Sequence, residues 1–178
     1  MKYSLPAAAV LAAITASACG AEFGDLIAAP VTLDGRIGPV HVGMTAEEFH
    51  QATARRFEER NREEDPNCYY AVPPMRQEDE VKVRFMIVDG VVAAIQVGHP
   101  SVRTDRGIEV GNSAARVRDA YGAGVRRIRG TEPAADVEFL VVRTPDGAIE
   151  TSFALEDERV SGYAVGFPSA VEAHDGCM

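Results

Sequence analysis

One stretch of this chain occurs twice. Val40-His41-Val42-Gly43-Met44-Thr45-Ala46-Glu47-Glu48-Phe49 returns as Ile108-Glu109-Val110-Gly111-Asn112-Ser113-Ala114-Ala115-Arg116-Val117, an offset of 68 residues from Val40 to Ile108. Each copy reads as a short alternating strand, a glycine, a hydroxyl N-cap and the first turns of an amphipathic helix. The same shift sets Phe85 on Phe153, Ile87 on Leu155, Asp89 on Asp157, Val92 on Val160, Ile95 on Tyr163, Val97 on Val165 and Gly98 on Gly166. One register, without insertion, therefore predicts two units of strand, helix, strand and hairpin. Two such units bury the sheet face that one alone would leave wet. The expected fold class is α+β, a tandem repeat with helices packed on antiparallel sheet.

Local signals place the elements. Thr45 with Glu48 three residues on is a capping box. Phe49, Ala52 and Phe57, with the stem of Arg56, give the first helix an apolar face, opposite Glu58, Glu59, Arg62 and Glu63. That helix is predicted to run on until it stops before Pro66. Cys68–Val72 reads as a strand ended by Pro73-Pro74. Val81–Val88 and Val91–Val97 flank Asp89-Gly90, the strong signal for a two-residue hairpin turn. Val83, Phe85 and Ile87 share one face; Met86 and Val88 make the other face partly apolar, so something is expected to cover it. In the second unit, Ser113 caps a shorter helix with Val117, Ala120 and Tyr121 inward, and Gly122 and Gly124 break it. Asp136–Arg143 is the next strand, Pro145-Asp146-Gly147 a turn, and Ile149–Leu155 with Arg159–Phe167 a second hairpin around Asp157-Glu158.

The first residues read as an address label. Met1-Lys2 precedes an apolar, Ala-rich run from Leu5 to Ala18, with Ala16-Ser17-Ala18 as a small-x-small processing site before Cys19-Gly20. Residues 1–18 are thus expected to be a signal peptide and residues 19–35 a tether or irregular lead-in with a short strand at Val31–Leu33. Residues 36–103 form the first module and 104–178 the second. Two readings of Cys19 stand side by side. Ser17-Ala18-Cys19-Gly20 resembles a lipobox, with Ala16 where that pattern usually has Leu, which would make Cys19 a lipid-bearing residue. Ordinary cleavage after Ala18 would instead leave a free thiol.

The chain has three cysteines, Cys19, Cys68 and Cys177. If Cys19 carries lipid, Cys68 and Cys177 remain as one even pair for an oxidising compartment. Such a bridge closes a long loop and is worth about 2–5 kcal/mol. Cys68 also fits as a small apolar residue buried in a strand. Loss of Lys2 with the signal takes the formal net charge from −9 to −10. An acidic chain of this kind is a poor fit for nucleic acid or an anionic membrane surface, and suits a cationic protein partner better.

Val42-Gly43-Met44-Thr45-Ala46-Glu47-Glu48-Phe49 resembles the helix start, hydrophobic-Gly-Met-Thr, of small bacterial envelope proteins in the SmpA/OmlA-like and BLIP-like group. That group includes outer-membrane lipoproteins of the barrel-assembly machinery and secreted β-lactamase inhibitors. The second copy departs from the pattern at Asn112 and Ser113. The resemblance implies a BLIP-like two-module fold and an envelope location. Gly20 after Cys19 lacks the acidic side chain associated with inner-membrane retention, so the implied site is the outer membrane facing the periplasm. A soluble periplasmic or secreted protein is the alternative.

No catalytic constellation emerges. His41, His50, His99 and His174 lack the paired spacing of a zinc site. No Gly-x-Ser-x-Gly elbow occurs, and Gly122 and Gly124 follow a helix where a phosphate cradle would open one. Neither enzyme activity nor a cofactor or metal is expected. The expected role is protein binding or inhibition; a structural, assembly-supporting outer-membrane lipoprotein is the first alternative and a small periplasmic hydrolase the second. Another envelope or secreted protein is the expected partner, with bilayer contact only through Cys19 and no nucleic acid. Tyr69, Tyr70 and Tyr163 are candidate aromatic contacts. The acidic loop Glu78-Asp79-Glu80 is a candidate rim for a basic partner; all six have ordinary readings as sheet or solvated residues. Arg126, Arg127 and Arg129 read as a wet basic surface.

Overall fold

The computed structural model of the chain describes residues 28–54, 56–74, 82–130, 136–172 and 176–177. The expectations for the signal segment, Cys19, Glu78, Asp79, Glu80 and His174 lie outside the described residues. The fold is α+β, an antiparallel sheet with few helices. Two small strands, β1 (Arg36–Ile37) and β2 (Val40–His41), pair with each other. Helix α1 (Ala46–Ala52) is followed by β3 (Glu58–Arg60), β4 (Cys68–Val72), β5 (Val83–Val88) and β6 (Val91–Val97). Helix α2 (Ala114–Tyr121) and a 3-10 turn (Gly122–Gly124) lead to β7 (Arg126–Arg129), β8 (Glu138–Arg143), β9 (Glu150–Glu156) and β10 (Arg159–Gly166). A short α3 (Pro168–Val171) follows. The large sheet has eight strands in the order β3-β4-β5-β6-β10-β9-β8-β7.

The hydrogen bonds repeat at the interval seen in the sequence. Gly43 N–H donates to Val92 O and Gly111 N–H to Val160 O; Ala46 N–H donates to Gly90 O and Ala114 N–H to Glu158 O. The hairpins share even their irregularity. The β5–β6 register slips between the pairs Met86–Ala94 and Ile87–Val92, and the β9–β10 register slips between Ala154–Gly162 and Leu155–Val160. The bulged residues are therefore Ala93 and Ser161, again 161 − 93 = 68 apart. A bulge re-aims the strand and strengthens its twist, so conserving its place conserves the shape of the hairpin. Only the strand before each hairpin is out of step. Ala71 lies opposite Phe85, and Leu140 opposite Phe153, which makes the interval there 140 − 71 = 69. One extra residue is accommodated ahead of β8.

Helix α1 is shorter than its periodicity predicts, and Glu58–Arg60 is strand. Buried Thr53 closes the helix by donating from its hydroxyl to Phe49 O at 2.7 Å. Ala54 then takes a left-handed φ of +52°, which turns the chain back toward the sheet. Phe57 still reaches the core: its ring lies 5.2 Å from Phe49 and 5.4 Å from Phe85. The expected strand at Ile108–Val110 is irregular backbone, although Ile108 is fully buried. The lead-in belongs to the fold from Val31 onward, since buried Val31 bridges both Ile37 and Thr104.

The main core lies between the helices and one sheet face. Phe49, Phe85, Ile95, Val117, Leu140 and Phe153 are all buried there. Each such side chain contributes about 1.5–3 kcal/mol by leaving water. A second, smaller core occupies the opposite face of the first hairpin, where Tyr70, Val72, Met86, Ala93 and Ala94 meet Ala170, Val171 and Cys177. The cover demanded by Met86 and Val88 is thus the C-terminal arm, folded back after β10.

Candidate functional site

The C-terminal arm is held over the second face at several points. Cys68 and Cys177, 109 positions apart in sequence, form a disulfide with Cα atoms 5.2 Å apart. Tyr70 Oη accepts from Cys177 N–H at 3.2 Å, and Asn61 Nδ2 donates to Cys177 O at 3.4 Å. Phe167 N–H donates to Ala93 O at 2.9 Å and starts α3 in register with the bulge of β6. Beside the disulfide, a shallow groove of about 410 Å³ runs between Met86, Val88 and Val91 on the sheet and Phe167 and Ala170 on the arm, with Asp89 at its rim. Its mainly apolar lining suits a side chain or short segment of a partner. Met86 and Val88 were the sequence signal for this place; Phe167 carried none.

The three candidate tyrosines do not converge. Tyr69 and Tyr163 lie in the main core at 2 % and 3 % exposure, on different halves of the sheet. Burial, first of all, raises the pKa of each phenol. Tyr163 donates to Val102 O at 3.4 Å, and its ring sits 5.7 Å from Phe153. Tyr70 faces the other way. The Arg84 guanidinium lies 4.6 Å over its ring and also donates to Gln96 Oε1 at 2.5 Å. With 9 % of its surface exposed, Tyr70 packs the arm more than it meets solvent. Both neighbours in β4 are buried because both faces of that strand are covered, a circumstance alternation alone does not reveal.

Two charged clusters flank the helix side of the sheet. In the first half, His50 Nε2 meets Glu59 Oε1 at 2.9 Å, Arg62 pairs with Glu59 Oε2, and the Arg62 guanidinium lies 5.0 Å over the Tyr69 ring. Burial pushes the Glu59 carboxyl up, but hydrogen bonds from Arg62 and His50 and their charges outweigh it, so its pKa is lowered. The corresponding place in the second half has the charges exchanged: Arg127 pairs with Glu138 at 2.9 Å and with Glu158. Near it, an acidic cleft of about 600 Å³ is lined by Asp136, Glu138, Glu156, Asp157 and Glu158, with Arg129 and Leu155. His50 is a structural clip between α1 and β3. His41 Nδ1 meets Val42 O at 3.1 Å, and His99 Nδ1 meets Ser101 Oγ at 2.8 Å. Among the described residues, no group of three or more His, Cys, Asp or Glu is placed to hold a metal ion, and no helix is long and apolar enough to cross a membrane.

No protein-family model and no curated protein matches the chain. The solved structures similar to it include two of low identity. The uncharacterized protein yfeY from Escherichia coli is 15 % identical, with a TM-score of 0.46 over 77 % of this chain and 99 % of that one. The DUF4309 family protein YjgB from Bacillus subtilis subsp. subtilis str. 168 is 16 % identical, with a TM-score of 0.39 over 69 % and 78 %.

Proposed function

We propose that the chain is an exported envelope protein, anchored by lipid on Cys19, that binds or inhibits another protein without catalysis. Its tandem modules would be of the BLIP-like kind, and its place the outer membrane facing the periplasm. One observation carries most of this reading: Cys68 pairs with Cys177. That pairing suits an oxidising compartment and leaves Cys19, directly after the Ala-rich segment, as the third and odd cysteine of the chain. The apolar groove beside the disulfide offers a partner a place to seat a side chain. The test is fractionation of cells expressing the full chain and its Cys19→Ser variant. The reading expects the wild type in the membrane fraction and the variant released to the soluble periplasm. Equal partitioning of the two would contradict the anchor.

A further inference from the structure

Among the described residues, the outer strand β7 presents an open hydrogen-bonding edge with an unusual charge. In an antiparallel ladder, bonded and non-bonded residue pairs alternate. Gly130 N–H donates to Val137 O at 2.8 Å, and the register places Ile128 opposite Phe139 and Arg126 opposite Val141. Gly130, Ile128 and Arg126 therefore spend their backbone groups on β8. Arg127 and Arg129 turn their N–H and C=O outward. No strand lies beyond β7 in the described sheet.

Three of the four residues of β7 are arginines, in a chain whose formal net charge is −9. Arg127 is occupied by Glu138 and Glu158. Exposed Arg126 and Arg129 have no ion pair or hydrogen bond of the side chain among the described residues. Charged edges protect sheets from indiscriminate pairing, because an apolar or like-charged strand cannot add without leaving charge uncompensated. An acidic strand offers Arg126 and Arg129 opposite charge, set against the repulsion of the acidic cleft that Arg129 also lines. The other outer strand, β3, offers mixed charge, with Arg60 and Glu58 of the same strand 3.9 Å apart.

We propose that β7 is the docking edge for an extended acidic segment of a partner protein, added antiparallel as a ninth strand. The outward groups of Arg127 and Arg129 supply its backbone bonds, and cross-strand charge pairs select its sequence. Read from its N-terminus, the segment carries an acid opposite Arg129, an apolar residue opposite Ile128, any residue opposite Arg127 and an acid opposite Arg126. This deepens the protein-binding reading and rests on it for the existence of a partner.

The test titrates the disulfide-bonded chain with an extended peptide containing Glu-Val-Thr-Glu and with its Lys-Val-Thr-Lys counterpart. The acidic peptide is expected to bind at least about tenfold tighter and to slow amide exchange at Arg127 and Arg129. Arg129→Pro removes one outward N–H while sparing the bonds to β8, and is expected to abolish both effects; Arg126→Glu with Arg129→Glu should reverse the charge preference. Equal binding of the two peptides, no binding of either, or binding without protection of those amides would overturn the proposal. Concentration-dependent self-association lost in Arg129→Pro would assign the edge to a second copy, and so overturn it too. A partner captured undiminished by the Arg126→Glu/Arg129→Glu chain would sink the edge alone, whereas a chain that binds neither peptide nor any protein would sink the binding reading with it.

Discussion

Gln96 lies opposite Ala164 where β6 joins β10, and the two stand 164 − 96 = 68 residues apart. Each is the other's counterpart in the repeat. The flanking pairs Val97–Tyr163 and Ile95–Val165 exchange under the same shift. The local two-fold axis of the sheet therefore passes through the Gln96–Ala164 pair, and the junction has the self-complementary form of a symmetric dimer interface. The halves have equivalent backbones and unequal side chains, so equivalent substitutions should cost unequal amounts.

The helix caps show this most simply. Thr45 Oγ1 accepts from Glu48 N–H at 3.2 Å, while Glu48 Oε2 accepts from Thr45 N–H at 2.9 Å. Ser113 Oγ accepts from Arg116 N–H at 3.2 Å with no return bond. Thr45→Ala is expected to cost about 1 kcal/mol or more, and Ser113→Ala less, because only the first breaks a reciprocal box. Urea unfolding of the two variants checks the order.

The equivalence also marks what could be read from sequence. The hairpins were legible because period-two apolar runs flank Asp89-Gly90 and their counterpart Asp157-Glu158. Both edge strands were hidden. Glu58-Glu59-Arg60 and Arg126-Arg127-Ile128-Arg129 carry no β pattern, since an edge strand with charged side chains is held mainly by its neighbour's backbone. Phe57 continued the spacing of Phe49 and Ala52, so the turn at Ala54 looked like more helix. The cysteine pair was legible from its number; the burial of Tyr69 and Tyr70 required knowing that the arm covers the second face.

That arm depends on the bridge. Replacing Cys68 and Cys177 together by Ser is expected to cost about 2–5 kcal/mol. It should also raise binding of a hydrophobic dye, as Tyr70, Val72, Met86 and Ala94 lose their cover. Unchanged dye binding would show that the arm stays seated without the bridge.

Glu59 predicts an acid limb to stability. Its folded pKa lies below the ordinary 4.5 despite the opposing effect of burial, because Arg62 and His50 favour the carboxylate. The sign follows: the unfolded chain binds this proton more readily, so the contribution is fully present above the ordinary value and is lost as pH falls through the folded one. Melting temperatures of wild type and Glu59→Gln should differ at neutral pH and converge well below the ordinary carboxylate value.

Arg143 guards a buried carboxylate. It donates to Glu150 Oε2 at 2.6 Å and to Glu172 at 2.7 Å, while Glu150 is 1 % exposed and its Oε1 has no hydrogen-bond partner among the described residues. Arg143→Ala is expected to lower stability clearly, because the buried Glu150 side chain would lose its partner. The double variant Arg143→Ala/Glu150→Leu should recover part of the loss, and chemical denaturation of the single and double variants measures the coupling.

The most direct test of an anchored, disulfide-latched envelope protein is the intact mass of the full chain from membrane and soluble fractions, with and without reduction and thiol alkylation. The account predicts a membrane-borne species cleaved before Cys19, carrying lipid on that residue, with Cys68 and Cys177 alkylated only after reduction. An unacylated chain in the soluble fraction, with Cys19 open to alkylation before reduction, would contradict the anchor and leave a secreted binder in its place.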